Sequence, residues 1–169
     1  MNPSYKDLGD HTETVSLSYD PNVVSFETLL SVFWANHNPT IPSQRQYRSL
    51  ILHHNEEQKL SAQKSLMVAR QKTSDEIHTE ILPAGKYYEA ETYHQKYVLQ
   101  QHPWLITALL IQTREDLIKS HACTKLNGYL AGYGSLEDAL NEAKRLGLNE
   151  KMMDYVKIQI ENHHSYTHR

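Results

Sequence analysis

Alternating polar and apolar residues predict a β-strand at residues 12–20, TETVSLSYD. Val15, Leu17 and Tyr19 have one parity and the serines between them have the other, as expected for a strand with one buried face. Glu13 shares the parity of Val15, so the pattern places this carboxylate at the start of the more apolar face.

Two further strands and three helices are predicted before residue 102. Apolar residues recur at helical spacing in SFETLLSVFWANH, with Ser25 as the N-cap, and a helix at residues 56–71 follows a capping box of Asn55 and Gln58. The remaining predicted elements are strands at residues 46–54 and 76–82 and a helix at residues 86–101. This alternation predicts a layered fold of mixed helices and strands.

After His102-Pro103 the pattern becomes helical throughout. It predicts helices at residues 104–123, 135–147 and 149–162, with the glycine-containing segment LNGYLAGYGS as a connector. We therefore divide the chain into a mixed domain, residues 1–102, and a helical C-terminal extension, residues 103–169.

Composition narrows the functional classes. The chain has 169 residues, a net charge of -3 and a pI near 6.4, which give no electrostatic case for binding nucleic acid. No apolar run is long enough to span a membrane, and the pattern of the first residues predicts no secretory leader. A single cysteine, Cys123, excludes an internal disulfide and fits a reducing compartment, so we expect a cytoplasmic protein without a membrane partner.

Cys123 is the first candidate nucleophile. It lies near the end of the predicted helix 104–123, where the helix dipole disfavours a thiolate, and structural cysteines outnumber reactive ones. A buried or incidental thiol is the favoured interpretation.

A metal site is not expected. Glu91 and His94 are three residues apart and share a face of the predicted helix, but no second copy of this pair exists. The adjacent histidine pairs at 53–54 and 163–164 have diverging side chains.

Tyr5, Glu13 and Tyr47 form a third candidate set. Each lies just before a predicted strand or at its start, so the two phenols and the carboxylate could converge on a polar oxygen and deliver a proton to it. From spacing alone, two half-buried tyrosines and a surface carboxylate are the favoured interpretation.

Several segments resemble one known family. NPSY, HTE, YDP, FWANHNPT, QYRS, TEI and AETYHQKY occur in the order found in the peptide methionine sulfoxide reductase A family, over residues 2–101. LNGYLAGYG resembles the C-terminal region of an animal-type branch. The resemblance implies an α+β, ferredoxin-like two-layer sandwich.

The resemblance also implies a reaction. Family members reduce the S epimer of methionine sulfoxide, free or in oxidised proteins, in protein repair and the oxidative stress response. A cysteine attacks the sulfoxide sulfur and becomes a sulfenic acid, and a second thiol and thioredoxin restore it. Glu13 corresponds to the family's proton donor, Tyr5 and Tyr47 to the tyrosines that hold the oxygen, and no bound cofactor is implied.

The departures from the family pattern matter as much. The family's nucleophile lies in a Gly-Cys-Phe-Trp-Gly motif, which this sequence does not contain. We therefore expect an N-terminally incomplete, inactive form for which Cys123 is an unlikely substitute, and a mitochondrial location if a targeting segment lies upstream. The alternatives are a non-catalytic module that binds methionine sulfoxide or a protein, and a helical interaction protein.

Overall fold

The structure is a computed structural model that describes the backbone of residues 11–167 and the side chains as far as residue 163. The chain forms two compact units, which meet in sequence at Glu89 and Ala90. The predicted domain boundary after residue 102 marks the end of the part that resembles the family, and this boundary stays a prediction. In the described residues no helix is both long and apolar enough to cross a membrane.

A two-stranded parallel sheet lies in the first unit. Strand β1, Leu50–His53, pairs with β2, Glu80–Pro83, and helix α2, Glu56–Arg70, connects them. A parallel pair needs such a crossover. Both strands were predicted, although each is shorter than its sequence pattern. This sheet with its helices agrees with the predicted α+β class.

The helices of this unit begin where their caps predict. Ser25 accepts a hydrogen bond from Thr28 N at the start of α1, Phe26–Ala35, and Asn55 accepts one from Gln58 N at the start of α2. Trp34 of α1 donates its indole N–H to Ser65 Oγ of α2 at 3.0 Å. The helices and β1 share a small core of Leu30, Ile51 and Ala62.

The strand predicted at residues 12–20 is wrong. The segment has no strand structure, and Val15 is 88% exposed. Its alternation suits a strand, but a strand also needs a neighbour to pair with. In the described chain β1 and β2 pair only with each other, while Thr12 and Glu13 bond to a loop instead.

The helix predicted at residues 86–101 is also wrong. The structure has a 3-10 helix, Thr92–His94, and a short helix α3, Tyr97–Gln100. Lys96 between them has a left-handed backbone with φ of 49°, which interrupts a right-handed helix.

The helix predicted at residues 104–123 divides into α4, Pro103–Ala108, α5, Arg114–Lys119, and α6, His121–Leu130. Thr113 and Asp116 form a capping box that starts α5, and Ser120 ends α5 and caps α6. The predicted connector is partly wrong, because α6 runs through Leu130.

The last two helices begin where predicted. Helix α7, Leu136–Glu142, starts at a capping box of Ser135 and Asp138 but ends five residues before Gly147, which was predicted to stop it and has φ of +72°. Helix α8 spans Glu150–Thr167 and runs past its predicted end at residue 162. The second unit is held by one apolar core, whose fully buried members include Leu99, Leu105, Cys123, Leu126, Met152, Val156 and Ile160.

Candidate functional site

Glu13 is fixed against the loop that precedes β1. Its backbone N–H donates to the Gln46 carbonyl oxygen at 2.9 Å, and its Oε1 accepts from Gln46 Nε2 at 2.7 Å. Thr12 Oγ1 adds a third hydrogen bond by donating to the Arg45 carbonyl oxygen at 2.9 Å. The Glu13 carboxylate is exposed and held at one oxygen.

Tyr47 follows Gln46 directly and ends the 3-10 helix Arg45–Tyr47. The residue is 54% exposed. The hydrogen bonds between Glu13 and Gln46 bring the segments that carry Glu13 and Tyr47 together, and the convergence of the two side chains stays a prediction. Tyr5, the third predicted member, lies outside the described residues.

Arg48 links this loop to the second strand. Its Nε donates to Thr12 Oγ1 at 3.0 Å and its Nη1 donates to Glu80 Oε1 at 2.8 Å. Arg48 is mostly buried, with 20% of its side chain exposed. Charged hydrogen bonds of this kind fix both direction and position. Arg48 therefore links the segment that carries Glu13 to the start of β2.

Hydrogen bonds among hydroxyl and imidazole groups link the same loop to α1 and to Thr79, the residue before β2. His37 Nδ1 lies 2.7 Å from the Phe33 carbonyl oxygen and His37 Nε2 lies 2.7 Å from Ser49 Oγ. A carbonyl only accepts, so Nδ1 donates the first of these hydrogen bonds. Ser49 Oγ lies 2.8 Å from Thr79 Oγ1, which is buried beside β2. The polar groups under the loop are thus paired.

These supporting residues were not predicted as functional. Gln46, Arg48 and Ser49 stand within the QYRS segment, from which only Tyr47 was selected. Their position beside a candidate tyrosine was the signal available in the sequence. The pairing with Thr12 and Thr79 is long-range and could not be derived from spacing.

A cleft of about 500 Å³ opens beside the loop. Arg45, Arg48 and Ser49 line it from the loop, and His78 and Glu80 line it from the second strand and the residues before it. Ile41 and Pro42 complete an apolar wall.

Cys123 lies in the second unit, in the first, N-terminal turn of α6, and not near the C-terminal end of a helix as predicted. Its N–H donates to Ser120 Oγ at 3.1 Å, and its side chain is completely buried. Burial raises the pKa of the Cys123 thiol, which outweighs the opposing effect of the Ser120 hydrogen bond. A buried thiol with a raised pKa is a poor nucleophile.

Glu91 and His94 do not share a helix, because this segment forms only the 3-10 turn. Within residues 11–163 no group of three or more histidine, cysteine or acidic side chains is arranged to hold a metal ion.

Comparison with known proteins decides the family. The model of the peptide methionine sulfoxide reductase family matches residues 1–126 of the chain. The chain belongs to this family. The family predicted from the sequence motifs is confirmed, and the match extends 24 residues past residue 102 into the predicted extension (126 minus 102).

Individual relatives cover different parts of the chain. A Drosophila melanogaster peptide methionine sulfoxide reductase is 44% identical over 162 residues, which are 94% of this chain and 65% of the relative. Peptide methionine sulfoxide reductase A5 of Arabidopsis thaliana is 38% identical over 77% of this chain and 54% of its own length. Arabidopsis reductase A2 is 44% identical over 59% of this chain and 50% of its own length. The chain thus spans half to just under two thirds of these relatives, and the Drosophila protein shares most of the helical second unit.

Proposed function

We propose that this protein acts on methionine sulfoxide, with Glu13 as proton donor and Tyr5 and Tyr47 as the hydrogen-bond donors to the sulfoxide oxygen. The observation that carries the proposal is the attachment of Glu13 to Gln46, the neighbour of Tyr47. Membership of the reductase family supplies the reaction class. The substrate is methionine sulfoxide of the S configuration, in oxidised proteins or free.

The carboxyl group of Glu13 is oriented for this role. Oε1 accepts the hydrogen bond from Gln46 Nε2, and Oε2 accepts no hydrogen bond from another described residue. Oε2 is therefore the oxygen that we expect to face the substrate. When a bound substrate covers the carboxyl and removes water from it, the neutral, protonated form becomes more favourable. Transfer of that proton to the sulfoxide oxygen makes the oxygen a better leaving group.

Reduction also needs a thiol, and we propose that Cys123 does not provide it. Attack on the sulfoxide sulfur requires an accessible thiolate, whereas Cys123 is completely buried and its pKa is raised. The 169 residues by themselves are therefore expected to bind methionine sulfoxide without turning it over. The same burial favours the second candidate function, a non-catalytic module that recognises methionine sulfoxide.

The remaining family features belong to the same proposal. A thiol nucleophile, wherever it is supplied, forms a sulfenic acid that thioredoxin or another thiol reductant returns to the reduced state. The protein contributes to protein repair under oxidative stress in the cytoplasm. Its mixed unit forms part of a ferredoxin-like two-layer sandwich, to which β1 and β2 contribute a parallel pair.

Binding is tested by titrating the chain with an N-acetylated methionine sulfoxide amide of each configuration and measuring heat of binding. Tyr47→Phe removes one hydrogen bond to the oxygen and should weaken binding of the S form by about three- to tenfold. Glu13→Gln should also weaken it. Tyr87→Phe changes another exposed tyrosine of the first unit and is the matched control. Equal affinity of wild type, Tyr47→Phe and Glu13→Gln would refute the proposed roles.

Turnover is tested with the same substrate and dithiothreitol. We expect no methionine to form. Formation of methionine that disappears in Cys123→Ser would show that the buried thiol is the nucleophile and would overturn this part of the proposal.

A further inference from the structure

Met67, in the last turn of α2, is an exposed methionine. The chain has four methionines, of which Met1 lies outside the described residues. Met67 is 64% exposed, whereas Met152 and Met153 of α8 are 2% and 9% exposed and pack into the core of the second unit. An oxidant must reach the sulfur of a thioether to convert it to a sulfoxide, so Met67 is the most open to oxidation of these three methionines.

The side chain of Met67 points away from the interior of the first unit. Ser65, two residues earlier in α2, faces α1 and accepts the indole N–H of Trp34 at 3.0 Å. Each residue of an α-helix advances about 100° around the axis, so Met67 lies about 200° from Ser65, on the opposite side of the helix. The Trp34 hydrogen bond and the Asn55 cap hold α2 in place. Met67 thus presents its sulfur to other molecules and not to the site of its own copy.

The surroundings of Met67 suit the polar oxygen of a sulfoxide. Lys64 and Arg70 stand three residues before and after Met67, so both share its face of α2, and both are exposed. Oxidation at this position adds a polar group among charged side chains and leaves the core intact. Met152 differs, because its Sδ accepts the backbone N–H of Asn149 at 3.5 Å within the core of the second unit.

Oxidation of Met67 creates the group that the site of Glu13 and Tyr47 is proposed to bind. With hydrogen peroxide as oxidant, the sulfur lone pair attacks one peroxide oxygen, an S–O bond forms, the O–O bond breaks and water leaves. The thioether loses two electrons and the peroxide gains them. We propose that peroxide oxidises Met67 and that the S epimer of its sulfoxide is bound by the Glu13 and Tyr47 site of a second copy of this chain. This inference rests on the proposed function and names a protein partner for it.

The association between copies is expected to last. The buried Cys123 offers no accessible thiolate, so the bound sulfoxide is held without being reduced. Each copy carries both partners of the contact, the Met67 side chain and the site, so oxidised copies can bind one another reciprocally or in series. Oxidation thus controls whether the protein self-associates.

The first experiment treats the full chain with dilute hydrogen peroxide and follows each methionine by peptide mass spectrometry. We expect Met67 to be oxidised at least about tenfold faster than Met152 and Met153, because their sulfurs are buried. In a denaturing concentration of urea the three rates should converge. Equal rates in the native chain, or a difference that persists in urea, contradict the selection of Met67 by its exposure.

The second experiment places the two halves of the contact on different molecules. The donor carries Glu13→Gln and Tyr47→Phe, which weaken its own site, and is oxidised. The acceptor carries Met67→Leu, a change of similar volume, and is not oxidised. Calorimetric titration should show saturable binding, which an excess of the S sulfoxide amide abolishes and the R amide does not. A donor that also carries Met67→Leu is the matched control and should not bind after the same oxidation. Equal binding by both donors refutes the proposal.

The N-acetylated methionine sulfoxide amide separates the two proposals. If the acceptor does not bind the S amide, the proposed sulfoxide function fails. If the acceptor binds the S amide but not the oxidised donor, the sulfoxide function stands and the partner proposed here is wrong. If the oxidised wild-type chain stays monomeric and no longer binds the S amide, Met67 sulfoxide occupies the site of its own copy, which contradicts a second copy as the partner.

Discussion

The second unit contains one charged hydrogen bond whose value can be worked out from its surroundings. Tyr129 of α6 donates its hydroxyl to Glu142 Oε2 of α7 at 2.6 Å, and the tyrosine is almost completely buried. The other oxygen, Oε1, receives Lys125 at 3.0 Å and Arg145 at 2.7 Å. Tyr129→Phe removes the hydroxyl alone and leaves the ring against Gly134, where an added Cβ would lie 2.8 Å from Tyr129 Cε1.

The expected loss of stability in Tyr129→Phe depends on the partners that Glu142 keeps. A hydrogen bond to a charged group contributes about 1.5–3 kcal/mol. Glu142 keeps both cationic partners after the change, so no unpaired buried charge is created and the lower part of that range applies. We expect the free energy of unfolding of the second unit to fall by about 1.5–2 kcal/mol.

One tryptophan in each unit makes the assay specific. Trp34 lies in α1 and Trp104 in α4, where its ring is 5.2 Å from the ring of Tyr155 in α8. In a Trp34→Phe background, urea unfolding followed by fluorescence reports the second unit through Trp104. Tyr133→Phe alters an exposed tyrosine of the second unit and should leave the urea midpoint unchanged.

The dependence on pH tests the cause of this stabilisation. The Tyr129 hydrogen bond, more than the neighbouring cations, holds the pKa of Glu142 below its usual value, against the effect of burial. The contribution is therefore complete above the usual glutamate pKa of about 4.3 and is lost as the pH falls through the lowered value. Burial and the hydrogen bond to Glu142 raise the pKa of Tyr129. At alkaline pH the contribution is therefore complete below the usual tyrosine pKa of about 10 and is lost as the pH rises through the raised value. A difference under about 0.5 kcal/mol between wild type and Tyr129→Phe at pH 7, or one that grows on acidification, would refute the reasoning.

Two further changes test the packing of each unit by urea unfolding. Ser65→Ala removes the acceptor of the half-buried Trp34 indole N–H and should destabilise the first unit by about 1 kcal/mol; an unchanged midpoint would mean that water replaces Ser65 without cost. Leu126→Ala leaves a cavity in the core of the second unit and should cost about 2–5 kcal/mol, while Leu140→Ala at an exposed position of α7 should cost under about 0.5 kcal/mol; similar losses for both would contradict the placement of Leu126 in the core.

Elements fixed by local signals could be predicted from the sequence. The N-caps Ser25, Asn55 and Ser135 mark the starts of α1, α2 and α7. Such caps satisfy backbone N–H groups within three residues, so they do not depend on the rest of the fold.

The errors arose where distant contacts decide the structure. The alternation at residues 12–20 suits a strand, but pairing depends on a neighbour far away in sequence. Gly128 suggested a connector, yet the burial of Leu126, Tyr129 and Leu130 keeps α6 helical and offsets the roughly 1 kcal/mol that glycine costs inside a helix. The continuous apolar period over residues 104–123 predicts one helix, whereas the capping box of Thr113 and Asp116 starts a new helix within it.

The burial of Cys123 has a practical consequence for measuring motion. The chain holds one sulfhydryl, and it is sealed beneath the first turn of α6. A colorimetric thiol reagent can reach this atom only during transient opening of that turn, so the labelling rate of the native protein reports the free energy of local opening. The labelling rate of Cys123, a poor nucleophile in the native protein, therefore measures how often the helical unit opens.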